Sequence, residues 1–297
     1  MKKTLCSIAL ITASFLSHNQ AAATTNQCLN AKVSGQGQAV LLLPGFISDE
    51  TVWDEISANL ANNYQVHQLS IAGFGKNPAC KNADDIASTI KAELATYLSS
   101  NKLAEPILVG HSMGGLLAFD ASLNPSIKLK AAISVDGLPF IGPIFTRSNQ
   151  TTAQDLAPQA TAIKAMYQNA TPQQMVAFTQ QGIALQTNNK ARYKDILAMA
   201  KQSDPHTAGS ALSWVMTTDL RPKLANVTNP VLLIGASGAF KTEQQHQAAQ
   251  AMYKAQLADA PKVSLIMNKQ GNHFLMWDQK DWLLATIKNF IKQQPNS

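Results

Sequence analysis

Charge is scarce in this chain. Asp, Glu, Lys and Arg together make up 14% of its 297 residues, against about a quarter in ordinary globular proteins. Ala, Gln, Asn, Ser and Thr are plentiful instead, so the surface is polar but lightly charged. The formal net charge is +6, but the lysines are scattered and not interleaved with aromatics. That pattern argues against a nucleic-acid groove and fits simple solvated faces. Cysteine is equally sparse: Cys6, Cys28 and Cys80 are the three, with no C-x-x-C and no paired His/Cys cluster. The chain therefore offers no recognisable metal site, and neither Cys28 nor Cys80 sits in a catalytic cysteine signature. Long apolar runs are missing too, and none approaches the roughly 20 residues of a membrane span. Nothing calls for a metal, nucleotide or flavin, so no cofactor is expected.

One apolar run, too short for a span, lies at the start. Met1-Lys2-Lys3 is a basic opening, residues 5–16 are apolar, and Ala21-Ala22-Ala23 offers a small-residue cleavage site. Residues 1–23 read as a secretory signal peptide with cleavage near Ala23, and the expected location is periplasmic or secreted. Removing Lys2 and Lys3 lowers the net charge from +6 to +4. Cys28 and Cys80 then remain, and two cysteines in an exported chain suit one disulfide; two independent thiols are the alternative. The bridge would tie the N-terminal segment to the loop after Gly73-Phe74-Gly75.

The length suits one α/β domain with a large core and an insertion. Apolar runs at 40–43, 65–70, 107–110, 131–136, 231–235 and 263–267 are short and bounded by Pro, Gly, Asn or Asp. They suit buried parallel strands, with residues 32–34 a further antiparallel edge strand. Helical patterns at 51–61, 83–101, 114–123, 243–257 and 280–292 fall between and after them. This alternation predicts a mostly parallel sheet covered on both faces. Residues 138–219 break it, with helical periodicity and no convincing strand. Helix starts are expected at Thr171-Pro172 and Ser203-Asp204-Pro205.

The strongest motif is Gly110-His111-Ser112-Met113-Gly114-Gly115, which follows the apolar run Pro106-Ile107-Leu108-Val109 and precedes a helix-compatible segment. A sharp strand-to-helix turn needs glycine-sized residues two before and two after its nucleophile. Ser112 is thus a candidate nucleophile. A serine hydroxyl needs a base, and His273, after the last expected strand in Gly271-Asn272-His273-Phe274, is the candidate; a structural histidine is the alternative there. His67, His111, His206 and His246 fall in a strand, behind the serine, in the insertion and in a helix.

These residues resemble the α/β-hydrolase superfamily from about Ala39 onward. Ala39-Val40-Leu41-Leu42-Leu43-Pro44-Gly45-Phe46 is similar to its early strand and oxyanion turn, and Ser70-Ile71-Ala72-Gly73-Phe74-Gly75 to the loop after its next strand. The serine elbow and the histidine loop complete the match. The resemblance implies an α/β-hydrolase fold: a core from residues 24–137 and 220–297, and a helical cap at 138–219 inserted after the sixth strand. The family's first strand is expected to be missing.

The family usually places its triad acid after the strand at 231–235, where this chain has Ala239. Some members carry it one strand earlier, which points to Asp136; a turn-forming Asp-Gly is the other reading of that residue. Glu243 is the fallback, and a Ser–His dyad stays open. The oxyanion donors are expected to be the amides of Phe46 and Met113, while Gly45 serves equally as a turn glycine. Met166, Tyr167, Met175, Phe178, Met199, Trp214 and Met216 either line a substrate pocket or hold the cap together.

The expected activity is hydrolysis of a small-molecule carboxylic ester, small to medium and apolar, through an acyl-enzyme. Thioesterase, perhydrolase and carbon–carbon hydrolase chemistry remain alternatives, as does a hydrolase-like ligand-binding protein with a weakened triad.

Overall fold

Strands covered on both faces gain from continuous Val, Ile and Leu, and the short apolar runs meet that condition. The computed structural model describes residues 27–294. Its strands are β1 (Leu29–Ser34), β2 (Ala39–Leu43), β3 (Gln65–Ile71), β4 (Ile107–His111), β5 (Ala131–Val135), β6 (Val231–Ala236) and β7 (Val263–Asn268). They form one sheet in the order β1-β3-β2-β4-β5-β6-β7. β1 runs antiparallel to β3, with Leu29 opposite Ile71, and the other pairings are parallel. The fold is that of an α/β hydrolase, as the motifs imply.

Helices cover both faces. α1 (Asp54–Leu60), α2 (Ile86–Ser100) and α3 (Met113–Leu123) lie among the first five strands. α4 (Gly142–Thr146), α5 (Ala153–Gln168), α6 (Pro172–Gln181), α7 (Ile183–Gln186), α8 (Tyr193–Gln202) and α9 (Pro205–Thr217) fall between β5 and β6. α10 (Glu243–Ala255) links β6 to β7, and α11 (Leu275–Asp278) and α12 (Lys280–Lys292) follow. Alternation along β2 divides the core. Leu41 and Leu43 join Leu108, Leu117 and Phe119 on one face, while Val40 and Leu42 join Trp53, Val109 and Ile287 on the other. Truncating a fully buried leucine such as Leu42 to alanine would cost about 2–5 kcal/mol.

Among the described residues no strand precedes β1, so β5 is the sixth strand in the family's count and the helical insertion follows it, as the resemblance implies. Two expectations need adjustment. β7 is not fully buried: its first five residues alternate between half-buried and exposed, with Ile266 42% exposed, and only Asn268 at its end is buried. The strand is the sheet edge, so one face of it meets water. The helices expected at 51–61 and 83–101 each begin as a 3₁₀ turn, Glu50–Trp53 and Ala83–Asp85. The signal-peptide expectation lies outside the described residues.

The insertion's helix starts follow their sequences. Thr171 accepts from Gln174 N–H and Gln174 reaches back to Thr171, a capping box with Pro172 at the first helical position. Asp204 caps α9 by accepting from Thr207 N–H at 2.7 Å. Cys28 and Cys80 form a disulfide with Cα atoms 5.2 Å apart, joining the segment before β1 to the loop after β3. That loop also holds the insertion: Gly73 O accepts from Asp204 N–H at 2.7 Å, and Gly75 N–H donates to Ser203 Oγ at 2.9 Å.

Candidate active site

Ser112 stands between β4 and α3 with φ 53° and ψ −116°. A serine in that conformation carries strain of about 1–3 kcal/mol, which persists only where surrounding structure imposes it. Here the neighbours impose it. A Cβ on Gly110 would lie 1.9 Å from Gly114 O, and one on Gly114 would lie 2.6 Å from Pro44 O. Ser112 N–H donates to Val135 O at 2.9 Å, fastening the turn to β5. Both glycines of the motif are therefore steric necessities.

The turn after β2 comes up beside the elbow. A Cβ on Gly45 would sit 3.0 Å from Ser112 Cβ and 2.8 Å from His111 Nδ1, so only glycine fits this approach. Among the described residues neither Phe46 N–H nor Met113 N–H is taken by a protein acceptor. Met113 opens α3, where unsatisfied amides and the helix dipole favour negative charge. The Phe46 ring meets Phe74 at 5.9 Å and Tyr167 at 5.7 Å, both edge-on, and Tyr167 contacts Phe178 at 5.4 Å. An apolar wall thus runs from the turn into the insertion.

Asp136 follows β5 directly with φ 52°, a left-handed conformation that Asp tolerates better than most residues. Its Oδ2 lies 2.6 Å from His273 Nδ1. Its Oδ1 accepts from Ala236 N–H at 2.8 Å and from Tyr253 O–H at 2.5 Å. His273 is delivered by the turn after β7, where Asn268 Oδ1 accepts from Gln270 and Gly271 N–H at 2.9 and 2.7 Å. The side chain of His273 is 26% exposed and that of Asp136 only 9%. Among the described residues the imidazole bonds to Asp136 and not to Ser112 Oγ; hydrogen bonds of that second kind often tighten only when substrate binds.

His111 supports this arrangement from behind. Its ring lies 4.5 Å from that of His273, and its Nε2–H donates to the His273 carbonyl at 3.0 Å. Burial, with the His273 ring adding to it, holds its pKa well below the usual histidine range. It is a neutral ring, and its buried Nδ1 has no partner among the described residues.

Known proteins resemble this chain in sequence and in fold. A family profile described as "Alpha/beta hydrolase family" matches residues 40–286. The chain belongs to that family. It is 23% identical over 219 residues to a pimeloyl-[acyl-carrier protein] methyl ester esterase of Vibrio cholerae, covering 68% of this chain and 76% of that protein. The same-named protein of Aliivibrio fischeri is 19% identical over 273 residues, covering 88% and 96%. Among solved structures, the enol-lactonase from Burkholderia xenovorans superposes with TM-score 0.66 at 17% identity, over 89% of this chain and 96% of that one. The esterase EaEST from Exiguobacterium antarcticum gives 0.70 at 17%, over 89% and 96%.

Within this α/β hydrolase, Ala239 stands where the family's acid is usual, on a loop whose Gly238 N–H donates to Gly271 O at 2.9 Å. Glu243 is exposed and paired with Lys269 at 2.6 Å. His67 is buried against Tyr97, its Nδ1 2.7 Å from the Tyr97 hydroxyl; His206 is exposed near Asp84; and His246 meets Ser237 Oγ at 2.9 Å. Of the apolar insertion residues, Tyr167 and Phe178 belong to the wall beside Phe46. Met175 and Met216 are fully buried, Met166 is 44% exposed, and Trp214 is half-buried against the core. Met199 faces elsewhere, lining a cavity of about 490 Å³ with Arg192 and Trp277. Among the described residues no group of three or more His, Cys, Asp and Glu is placed to hold a metal ion, and no helix is long and apolar enough to cross a membrane.

Sequence reasoning missed Tyr253, Asn268 and Asp278. Asp278 Oδ2 accepts from Asn272 N–H at 2.8 Å and Asn188 N–H at 3.0 Å, and its other oxygen accepts from Thr187. Asn272 Nδ2–H donates to Ala184 O at 3.0 Å, and Phe274 N–H donates to Gln186 O at 2.7 Å. The histidine loop is therefore clasped to the insertion. One signal for Tyr253 was in view: Gly235, a glycine within an apolar strand, often marks a close approach.

Proposed function

We propose that the protein is an exported serine hydrolase that cleaves carboxylic esters through an acyl-enzyme. The observation that carries the reading is the 2.6 Å contact between Asp136 Oδ2 and His273 Nδ1 at the same sheet edge as the Ser112 elbow. Asp136 holds the imidazole so that Nδ1 carries a proton and Nε2 is free to accept one. Ser112 Oγ attacks the ester carbonyl carbon and its proton passes to His273 Nε2. The carbonyl oxygen becomes an oxyanion between the amides of Phe46 and Met113. Collapse breaks the carbon–oxygen bond to the alcohol, which leaves with the proton from His273. Water, deprotonated by His273, then attacks the acyl carbon and releases the acid and Ser112.

The likeness to proteins named methyl ester esterases supports an ester bond as the target. The wall of Phe46, Tyr167 and Phe178 suits a small to medium apolar acyl or alcohol group, beneath a helical cap formed by α4–α9. The Cys28–Cys80 disulfide supports an exported location, since disulfides persist in oxidising compartments. The test is hydrolysis of p-nitrophenyl esters of graded chain length by the mature protein and by Ser112→Ala. The expected loss in kcat is at least about 10⁴-fold, as for removal of a triad serine. Turnover by the wild type no faster than by the variant would sink the reading.

A further inference from the structure

We propose that Tyr253 is a positioning residue, which fixes the Asp136 carboxylate in the orientation that His273 needs. The inference rests on the triad reading above and deepens it. A carboxyl group attached through one freely turning bond has a broad, roughly two-fold torsional preference, so an Asp side chain alone does not select which edge it presents. At Asp136 two donors converge on the same oxygen. Tyr253 O–H lies 2.5 Å from Oδ1 and Ala236 N–H lies 2.8 Å from it. Oδ2 is left to His273 Nδ1 at 2.6 Å. The torsion is thus set by one backbone donor from β6 and one side-chain donor from α10.

The surroundings are shaped for this contact. Tyr253 is 5% exposed, and its ring passes over the C-terminal end of β6 to reach Asp136, just past the end of the neighbouring β5. The passage exists because residue 235 is glycine: a Cβ there would lie 2.8 Å from Tyr253 Cε1 and 2.4 Å from Met267 Sδ. A tyrosine that merely filled space could satisfy its hydroxyl on any nearby carbonyl. This one donates to the carboxylate beside the histidine. Burial, with the Asp136 charge and the hydrogen bond adding to it, pushes the phenol well above its usual pKa. The hydroxyl keeps its proton and stays a donor throughout the range in which an esterase works.

The device answers a problem set by where the acid lies in this chain. The usual acid position is Ala239, so the carboxylate comes from β5 instead, one strand closer to the serine. Asp136 at that place has His273 on one side and β6 on the other, and Tyr253 closes the β6 side.

The test is a double-mutant cycle on Tyr253→Phe and Asp136→Asn, read as kcat and KM with a p-nitrophenyl ester taken to saturating substrate. Thermal unfolding confirms that each variant is folded. Tyr253→Phe removes the hydroxyl and keeps the ring. Its kcat is expected to fall about tenfold with KM within about twofold, because orientation of the base and not substrate binding is lost. In the Asp136→Asn background the same change is expected to cost less than about twofold, because the hydroxyl acts through the carboxylate. Gly235→Ala, which displaces the ring instead of removing the hydroxyl, should reproduce the kcat loss. Wild-type kcat in Tyr253→Phe, or an equal loss in both backgrounds, would overturn the positioning role while leaving the triad intact. Full activity in Asp136→Asn would overturn both, and would place the failure in the triad reading.

Discussion

The serine side of the site is held by backbone geometry, whereas the histidine side is held by side chains from separate parts of the chain. Gly110 leaves room for the backbone of Gly114, Gly114 for that of Leu43 and Pro44, and Gly45 for Ser112, and the open amides of Phe46 and Met113 complete that side. All but residues 43–46 come from five consecutive residues. On the other side, Asp136 and His273 are 137 residues apart, and Tyr253, Asn268 and Asp278 each secure them through a side-chain oxygen. A backbone construction tolerates no added atoms, because peptide groups cannot step aside. A side-chain construction degrades by degrees, one hydrogen bond at a time.

Gly110→Ala is the most severe way to break that contrast. The new Cβ would lie 1.9 Å from the oxygen and 2.1 Å from the carbon of Gly114's peptide, and 2.6 Å from Gly115 N. None of these is the flexible end of a side chain. The elbow must open or β4 must shift, and the expected cost is at least about 3 kcal/mol, at the upper end for overpacking. Urea unfolding measures it, and ester turnover should vanish with it. A stable, active Gly110→Ala protein would show that the serine side is not backbone-built.

The same contrast explains what the sequence revealed. Each backbone constraint demands a residue type at a fixed offset, so Gly110-x-Ser112-x-Gly114 was legible as an elbow, and Pro44-Gly45-Phe46 as the turn beside it. The apolar runs announced the sheet for a similar reason, since burial on both faces leaves a local mark. β7 was over-read as buried because strand order, and hence which strand becomes the edge, has no local mark. Asp136 was legible as the candidate acid through the family resemblance, with Glu243 as the fallback, and not through any local constraint. The feature that ties it to His273 is a contact across the sheet. Asp278 was invisible for that reason, and Tyr253 was announced only indirectly by Gly235: a tyrosine on α10 and an aspartate on α11 look like any others until the fold brings them in.

Asp278→Ala tests the side-chain half at intermediate severity. The carboxylate accepts from Asn272 N–H, Asn188 N–H and the Thr187 hydroxyl, joining the histidine loop to the insertion. Its loss leaves those donors to water or unpaired, with an expected cost of about 2–3 kcal/mol. The loop keeps Asn268 and its bonds to residues 184–186, so the protein should remain folded, with kcat/KM reduced about three- to tenfold by looser placement of His273. Collapse of folding as complete as in Gly110→Ala would erase the distinction between the two halves. Unchanged kcat/KM would show that the clasp does not reach the imidazole.

Acid provides the gentlest probe, and it singles out the histidine side. Burial, with the His273 ring adding to it, depresses the pKa of His111 well below 6.5, while the unfolded chain regains the ordinary value. As pH falls below about 6.5, the unfolded state therefore binds a proton that the folded state refuses. Stability then falls with pH, by up to about 1.4 kcal/mol per unit for one such group, until the folded-state pKa is reached. His67, whose pKa burial also lowers, adds a second contribution of the same sign. His111→Gln cannot take up that proton in either state. Urea unfolding at pH 7.5, 6.5 and 5.5 should show a shallower decline for the variant than for the wild type, with His67→Gln measuring the share that lies away from the site. Identical slopes in His111→Gln and wild type would mean that the ring behind His273 is not kept neutral by burial, and that the acid sensitivity of the fold arises elsewhere.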